Sequence, residues 1–392
     1  MLDKIDITDI YEQNINFLIG SGASYGLFPT LALSVKSETG ENETIETLAT
    51  KLEGDRKLNT LLFAYYYNEI IKPIHDFSID LLSDLPEGDS QKLVVKNYEA
   101  FLTTIFRILE NRKEFSKRCN IFTTNYDGCF QLVFDDMLNR NGADISLNDG
   151  TSGFVTKKLD ARNFNNYLCR SGVFGKNATD VSQINLVYLH GSAYWEKKED
   201  FIAVDYARKQ TSIELGASIK SRLDVFSSLL SDGTKKFKDI KSFDVSKIDD
   251  NEVDAFWAEY DKLPIVNPTK WKFHETVFEE HYYQMLRLLS YRLEEQNSVL
   301  ITFGFSFADE HILNMVKRSL SNPRLQVYVC CYDHKEAEAM QQHFKGYKNV
   351  QLITVKQSGE SKDQGGEPKK DCLDFTTFNE IVFSLPKENV AL

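Results

Sequence analysis

Short apolar runs recur along the chain, each followed by a polar or small-residue motif, and they predict buried β-strands. Between these runs, apolar residues fall at helical spacing, as they do over 91–112. This alternation of strands and helices predicts a Rossmann-like α/β fold with a mostly parallel, three-layer sheet. The predicted strands are residues 15–19, 120–124, 184–189, 298–303, 325–332 and 350–355.

The helical part of the sequence is longer than the crossovers of such a sheet need. We therefore expect an additional helical lobe, or a set of insertions, at about 56–112 and 200–262. Pro73 should kink or split the apolar helix that the pattern predicts over 58–82, because proline cannot donate the helical hydrogen bond. Further helices are predicted to begin near Ala23 and to cover 130–137, 213–230, 274–296, 310–316, 334–345 and 375–385.

The same pattern predicts the domain organisation. Residues 1–356 form one α/β domain, 357–372 a flexible linker, and 373–392 a C-terminal helix and tail. Within the domain, the polar and acidic stretch 36–55 is expected to be a loop or exposed surface. Residues 139–181, rich in Asn, Gly, Asp and Lys, are expected to form a long, partly structured excursion.

The first predicted strand ends in a stretch with two glycines one residue apart, which is typical of a phosphate-binding turn between a strand and a helix. Such glycines let the backbone approach a pyrophosphate closely. A hydroxyl at Ser24 would lie near the same oxygens, at the positive end of the next helix. A plain tight turn after a buried strand explains the pattern equally well. The stretch is Gly20, Ser21, Gly22, Ala23 and Ser24.

Three further strands end in polar motifs: Thr123-Thr124-Asn125-Tyr126-Asp127, His190-Gly191, and Gly304-Phe305-Ser306 followed by Asp309 and His311. Ligands of open α/β sheets bind at the carboxyl ends of strands, so a common position favours a shared site. Structural roles remain open for each residue. Asn125 and Asp127 suit a turn and a helix cap, His190 a buried structural histidine, Ser306 a loop, and Asp309 a cap with His311 on the surface.

The composition of the chain excludes several classes of function. The chain has 392 residues and a net charge of −12, which argues against sequence-independent nucleic-acid binding. The N-terminus lacks the pattern of a signal peptide, and no apolar run is long enough for a membrane span, so a cytoplasmic location is expected. None of the six cysteines belongs to a CxxC pair, so the sequence predicts no zinc ribbon, and no metal site is proposed from it.

The four motifs, in this order, resemble those of the sirtuin-like superfamily over residues 15–355. The sequence is most similar in style to the NAD⁺-consuming effectors of bacterial anti-phage systems. It departs from the sirtuin pattern at Thr124, where a glutamine is usual, and it lacks the two CxxC pairs of zinc-containing deacylases. The resemblance therefore implies an NAD-binding catalytic domain with glycohydrolase rather than deacylase activity.

The resemblance also implies roles for individual residues. Asn125 would hold the nicotinamide ribose and orient water, and His190 would act as general base. Asp127 would accept a hydrogen bond from the nicotinamide amide, with Thr124 beside it, and Ser306 would contact a phosphate or the adenosine ribose. The remaining residues expected to contact NAD⁺ are Gly20, Ser21, Gly22, Ala23, Ser24, Gly304 and Asp309.

The implied activity is hydrolysis of NAD⁺ to ADP-ribose and nicotinamide, with NAD⁺ as substrate and no metal. An anti-phage effector of this kind must be restrained until it is triggered, so a homo-oligomer or a HerA-like ATPase partner is expected. A phage component or nucleic acid is a possible trigger, but the sequence does not identify one. Two alternatives stay open: an NAD⁺-dependent protein deacylase and a non-catalytic sensor of NAD⁺ or ADP-ribose.

Overall fold

The computed structural model describes residues 4–112, 116–141, 145–171, 178–207, 213–267, 280–355 and 372–385. The strands, in chain order, are β1 Asn14–Ile19, β2 Ala32–Lys36, β3 Asn42–Thr44, β4 Arg118–Thr123, β5 Ile145–Asn148, β6 Thr151–Ser152, β7 Lys157–Leu159, β8 Cys169–Ser171, β9 Ala178–Asp180, β10 Ser182–Tyr188, β11 Trp195–Lys197, β12 Ile202–Val204, β13 Ser298–Phe303, β14 Gln326–Cys330 and β15 Val350–Ile353.

The helices alternate with these strands over most of the chain. They are α1 Ile7–Ile10, α2 Ile45–Lys51, α3 Arg56–Tyr66, α4 Lys72–Asp76, α5 Ser90–Glu110, α6 Cys129–Asn141, α7 Ala217–Leu230, α8 Phe237–Lys241, α9 Asp250–Tyr260, α10 Glu280–Glu294, α11 Glu310–Ser319, α12 His334–His343 and α13 Phe375–Thr377. In the described part of the chain, no helix is long and apolar enough to cross a membrane.

A central sheet of seven parallel strands has the order β15-β14-β13-β1-β4-β10-β5. Helices flank it, and the arrangement is that of a Rossmann-like fold, which confirms the predicted fold class at this level. All six predicted strands are present. The seventh, β5, lies in the stretch that was predicted to be an excursion, and it pairs with β10 at the edge of the sheet.

The central strands bury both faces, and each face has its own hydrophobic core. From β1, Phe17 joins one core and Leu18 joins the other. The first core contains α5, where Phe101 meets Phe17 edge-on with ring centroids 4.9 Å apart. The second core contains α10 and α11, through residues such as Leu289 and Ile312. Burial on both faces explains why these strands are continuous apolar runs in the sequence.

The two predicted helical regions pack against each other. In α3, Thr60 accepts a hydrogen bond from the indole N–H of Trp257 in α9 at 2.9 Å. Phe63 contacts the same indole with ring centroids 5.1 Å apart. The split expected at Pro73 is not present: α3 and α4 are joined without a break by a wider helical turn over Tyr67–Ile71, which lies just before the proline. The domain boundaries at 356 and 372 stay a prediction, because 356–371 lies outside the described residues.

Two local predictions were wrong. The helix expected near Ala23 is only a single tight turn, Ser21–Ser24, and the chain continues into the β2–β3 hairpin. The turn packs against the loop after β13, where Gly304 O accepts the N–H of Gly22 at 3.0 Å. Likewise, residues 36–55 are not simply a loop, since they contain α2, whose Ile45 and Leu48 are fully buried.

The C-terminal helix predicted over 375–385 is shorter than expected. It consists of α13 and one wider turn over Phe378–Val382. Phe375 and Phe378 stack on Phe303 at the end of β13, with ring centroids 4.9 and 4.6 Å away. The segment is therefore part of the first core and also brings residues 372–376 to the edge of the sheet where the strands end.

Candidate functional site

The loops after β1, β4, β10 and β13 converge on one cavity of about 790 Å³ at the carboxyl edge of the sheet. This is the position expected for a ligand site in an open α/β sheet. Of the predicted site residues, Gly20 and Ala23 lie behind the cavity wall. The predicted residues that line it are Ser21, Gly22, Ser24, Thr124, Asn125, Asp127, His190, Gly304, Ser306 and Asp309.

The glycines of the first and last motifs pack backbone against backbone. Gly20 donates its N–H to Phe303 O, and Gly22 donates to Gly304 O, both at 3.0 Å. A Cβ on Gly20 would lie 2.3 Å from Gly304 O. Gly304 itself has φ +63°, and a Cβ there would lie 2.6 Å from Ala23 N. The glycines are thus required by the close approach of the two loops.

Because of this packing, the stretch does not offer the free N–H groups that were expected to bind a phosphate. The N–H groups of Gly20, Gly22 and Ala23 all donate within the protein, the last to Gly20 O at 3.1 Å. Ser24 is buried and its hydroxyl is bonded to neighbouring side chains, so it does not present a free hydroxyl to a phosphate. No α-helix follows the turn, and the helix-dipole argument for this stretch therefore fails. Ser21 remains, exposed and lining the cavity.

Ser24 is the centre of a buried hydrogen-bond network. It donates to Asp127 Oδ2 at 2.7 Å, and its oxygen lies 2.7 Å from Tyr98 OH. Because a hydroxyl has one proton, Tyr98 is then the donor to Ser24. Asn125 Nδ2 also donates to Ser24 Oγ, at 3.3 Å. The network joins β1, α5 and the loop after β4. The sequence gave no signal for its member Tyr98, which belongs to the apolar pattern of the helix predicted over 91–112.

Asn125 is 7% exposed and lines the cavity. Its backbone N–H is fixed by Thr123 Oγ1 at 3.1 Å, and its amide N–H by Ser24. Its Oδ1 is buried and has no hydrogen-bond partner among the described residues. A buried acceptor left without a partner costs free energy, so one is expected to meet a ligand or water. Asn125 is therefore held as an acceptor in the cavity wall.

Asp127 is 5% exposed and has its own internal partners. Oδ2 accepts from Ser24, and Oδ1 accepts from the N–H of Cys129 at 3.1 Å, at the start of α6. Burial raises the pKa of the Asp127 carboxyl above its ordinary value, and the hydrogen bonds from Ser24 and Cys129 oppose that rise only in part. Asp127 thus caps the start of α6, and its other carboxylate oxygen is hydrogen-bonded to Ser24 and not left to accept from a nicotinamide amide.

His190 is 2% exposed and follows β10. Its carbonyl accepts from Val266 N–H at 2.8 Å, and Leu189 N–H donates to Thr123 O at 2.8 Å. Gly191 turns the chain with φ +83°, and a Cβ there would lie 2.2 Å from Pro264 O. The His-Gly pair therefore has a local reason: the glycine permits the turn that holds the imidazole beside the cavity.

The loop after β13 places Ser306 and Asp309 at the cavity. Phe307 takes φ +55° and buries its ring against Phe305 and Phe344, while Ser306 is exposed. Asp309 occupies the N-cap position of α11, but among the described residues its side chain makes no capping hydrogen bond, contrary to the cap interpretation. Its carboxylate lies instead within 4.8 Å of ring nitrogens of His190 and His311.

Sequence reasoning missed this convergence of His190, Asp309 and His311. For His311 the sequence left open whether it lines the site or lies on the surface; it is half-buried, and its ring centroid lies 5.6 Å from that of His190. The signal was present in the spacing of Asp309 and His311 on one turn. Their meeting with His190 depends on how the loops cross the sheet edge, which the sequence pattern does not encode.

The cavity extends beyond the predicted residues to the end of β14. Tyr332 and Glu336 line it there, together with Cys372 and Asp374 from the C-terminal segment. The hydrogen bond between Tyr332 and Cys372, together with burial, raises the pKa of Tyr332 to about 12, so its hydroxyl stays protonated as a donor. The sequence pointed to β14 as a strand but gave no reason to expect site residues after it.

No known family model matches the chain, and a search of curated proteins returns no match either. The relationship to sirtuin-like proteins therefore rests on the four motifs alone and stays a prediction. What the chain does has to be inferred from the chemistry of the cavity.

Proposed function

We propose that this chain is a sirtuin-like NAD⁺ glycohydrolase, which cleaves NAD⁺ to ADP-ribose and nicotinamide. The observation that carries the proposal is the meeting of Asn125 and His190 in one cavity, after two adjacent parallel strands. The amide and the imidazole are both nearly shielded from solvent there. This pair is what water-mediated cleavage of a glycosidic bond to nicotinamide needs: an acceptor to orient the ribose and water, and a base.

The extent of the cavity supports a dinucleotide substrate. A volume of about 790 Å³ lies in the upper part of the range for small-molecule sites, about 300–1,000 Å³. Its lining runs from the loop after β10 to Tyr332 after β14, four strand positions away. At about 4.8 Å per strand this spans about 19 Å, which suits an extended ligand. Ser21 and Ser306 lie along this length as exposed hydroxyls for phosphate or ribose oxygens.

In the proposed reaction, the bond between the nicotinamide nitrogen and the ribose carbon breaks. The electron pair goes to the ring nitrogen, so nicotinamide leaves as a neutral molecule, and the ribose becomes positively charged. Asn125 Oδ1 accepts a hydrogen bond from a ribose hydroxyl or from the attacking water, because it has no partner among the described residues. Water then bonds to the ribose carbon, and His190 takes the proton that it loses.

Asp127 has a positioning role in this proposal. Its carboxylate fixes the Ser24 hydroxyl, and Ser24 Oγ in turn fixes the amide of Asn125. The residue that follows the strand, Thr124, lines the same wall where related sequences have glutamine. Its shorter side chain leaves more room on that side of the cavity.

Biologically, we propose a regulated anti-phage effector that depletes NAD⁺. Uncontrolled hydrolysis would kill the host, so activity must await a trigger. The helical lobe formed by α3, α7 and α9 is the surface that we propose for self-assembly or for a HerA-like ATPase, because it is not needed to cover the sheet. The trigger, a phage component or nucleic acid, stays unidentified.

The experiment that tests the proposal is product analysis with the full chain. Purified protein is incubated with NAD⁺, alone and with the products of neighbouring genes, in the absence of any acyl-lysine peptide. We expect nicotinamide and ADP-ribose in equal amounts. Formation of O-acyl-ADP-ribose only when an acyl-lysine peptide is added would show a deacylase instead. NAD⁺ that binds but stays intact under every condition would show a sensor.

A further inference from the structure

Three metal-binding side chains meet at the edge of the cavity. His190, Asp309 and His311 each offer one ligand atom, and these atoms all lie within 4.8 Å of one another. The two imidazole rings have centroids 5.6 Å apart and planes inclined by 41°. His190 comes from the loop after β10, and the other two come from the start of α11. The cluster therefore depends on the tertiary fold and is not a local sequence motif.

Each ligand is carried by a firmly anchored piece of backbone. His190 is fixed by the hydrogen bond to Val266 and by the Gly191 turn. On the other side, Leu313 N–H donates to Asp309 O at 3.0 Å at the start of α11, and Ile312, the residue after His311, is fully buried. Ligands that are held by rigid elements lose little freedom when they bind an ion, which favours affinity.

The donor set selects the class of ion. Two imidazoles and one carboxylate suit Zn²⁺ and its first-row neighbours, whereas Mg²⁺ and Ca²⁺ prefer oxygen donors. Ligand atoms around a tetrahedral zinc ion are about 3.3 Å apart, given metal–ligand distances of about 2.0–2.2 Å. The three atoms lie within 4.8 Å of one another, so each pair has to approach by at most about 1.5 Å to reach that spacing. We propose that His190, Asp309 and His311 bind one Zn²⁺-class ion.

The ion would be exposed to the substrate cavity. His190 and Asp309 line the cavity, next to the buried acceptor of Asn125. Three protein ligands leave one position of a tetrahedral ion open to that space. The next step rests on the proposed function. If the imidazole of His190 gives its lone pair to the ion, it cannot take a proton from water. Zn²⁺ is therefore an inhibitor of NAD⁺ hydrolysis, and its removal restores activity.

Binding is tested first, without reference to activity. The full chain is titrated with ZnCl₂ by calorimetry, and with Co²⁺ while its visible absorption reports a tetrahedral site. We expect one ion per wild-type chain and an affinity at least about tenfold lower in both Asp309→Asn and His311→Gln. His334→Gln is the matched control, because His334 is exposed at the start of α12 and outside the cavity. Zn²⁺ should raise the midpoint of thermal unfolding of the wild type and of the control.

Equal affinity in the wild type and in both ligand variants, with all proteins folded by thermal unfolding, would overturn the metal site. Inhibition is tested separately, as nicotinamide release by the wild type with added ZnCl₂ and then with EDTA. Release that Zn²⁺ leaves unchanged or accelerates would overturn the inhibitory role. If no condition gives hydrolysis while Zn²⁺ still binds through Asp309 and His311, the proposed function fails and the metal site stands.

Discussion

Among the residues of the cavity, Ser24 has a role that is indirect but open to a clear test. It is 3% exposed and contacts Asn125, Asp127 and Tyr98 through one oxygen. In the resemblance to sirtuin-like proteins it was expected to bind phosphate, but the structure makes it the group that orients Asn125. A positioning residue of this kind should affect the chemical step more than substrate binding.

We therefore expect Ser24→Ala to lower kcat for NAD⁺ hydrolysis by about 100-fold, because a small displacement of Asn125 misaligns the reacting groups. KM should change by no more than about twofold, since binding contacts elsewhere in the cavity persist. Tyr98→Phe is the matched control, because it removes one donor to Ser24 and keeps the bonds to Asn125 and Asp127. Steady-state kinetics give kcat and KM for both variants. A fully active Ser24→Ala enzyme would contradict the positioning role.

Asp127 gives a prediction about pH. Burial raises the pKa of its carboxyl above 3.8 in the folded state. The stability that this group contributes is present below its unfolded pKa and is lost as the pH rises through the folded pKa. Asparagine has no such dependence: its oxygen can accept from the N–H of Cys129, and its NH₂ group can donate to Ser24 Oγ in place of the bond that the carboxylate accepts. The thermal midpoint of Asp127→Asn, relative to the wild type, should therefore rise between pH 4 and pH 7.

The matched control is Asp135→Asn, an exposed position on α6, the helix that begins two residues after Asp127. Its thermal midpoint relative to the wild type should stay level over the same pH range. If the thermal midpoint of Asp127→Asn relative to the wild type also stays constant with pH, burial does not destabilise the ionised form of this carboxylate.

At the scale of elements, the loops after β1 and β13 act as one unit, because their glycines touch. Gly304→Ala should destabilise the protein for two reasons. The φ of +63° is strained for alanine, and the added Cβ would overlap with Ala23 N. Gly346→Ala is the matched control, with φ +92° but nothing within 4 Å of the added Cβ. We expect a loss of about 1–2 kcal/mol for the control and clearly more for Gly304→Ala, measured by urea denaturation. Equal losses would show that the close approach is unimportant.

A row of asparagines crosses the central sheet at one register. Asn16, Asn120, Asn185 and Asn148 lie on neighbouring strands β1, β4, β10 and β5. Each of the last three donates an amide N–H to the side-chain oxygen of the asparagine before it, at 2.8, 2.9 and 3.1 Å. Asn16 Nδ2 donates in turn to Ser298 Oγ of β13 at 3.0 Å. A slip of one residue would break every bond, so the row fixes the register of these strands.

Asn120→Ala should cost about 2–3 kcal/mol in the free energy of unfolding, because it removes the donor to Asn16 Oδ1 and the closer acceptor of Asn185 Nδ2, which keeps only its longer bond to Phe164 O. Asn42→Ala, at an exposed position of β3, should change it by less than about 0.5 kcal/mol. Urea denaturation of the two variants provides the comparison. An Asn120→Ala variant as stable as Asn42→Ala would show that the row does not contribute.

Across the whole molecule, the sequence predicted the sheet better than the site. Strands buried on both faces are continuous apolar runs, as in Val299–Phe303, and all such strands were found. The strand Ile145–Asn148 was missed because it lies at an edge and is only half-buried, so its neighbours in the sequence are polar. The turn at Ser21–Ser24 was taken for a helix because its contact with Gly304 is not local.

The site was predictable as far as strand order allows. Asn125 and His190 follow adjacent strands, so their meeting follows from the parallel sheet alone. His311 follows β13, which is three strand positions from β10, or about 14 Å at the usual spacing. Its approach to His190 requires α11 to begin above the strands that lie between. That crossing is a property of the packed molecule, and no pattern in the sequence indicates it.

NAD⁺ hydrolysis through Asn125 is tested by nicotinamide release from NAD⁺ by Asn125→Ala, under the conditions in which the wild type is active. We expect a loss of at least about 100-fold in rate, with an unchanged thermal midpoint. Asn251→Ala, at an exposed position at the start of α9, should match the wild type. Release by Asn125→Ala at the wild-type rate would contradict the account, because the cavity would then hydrolyse NAD⁺ without the acceptor on which the proposal rests.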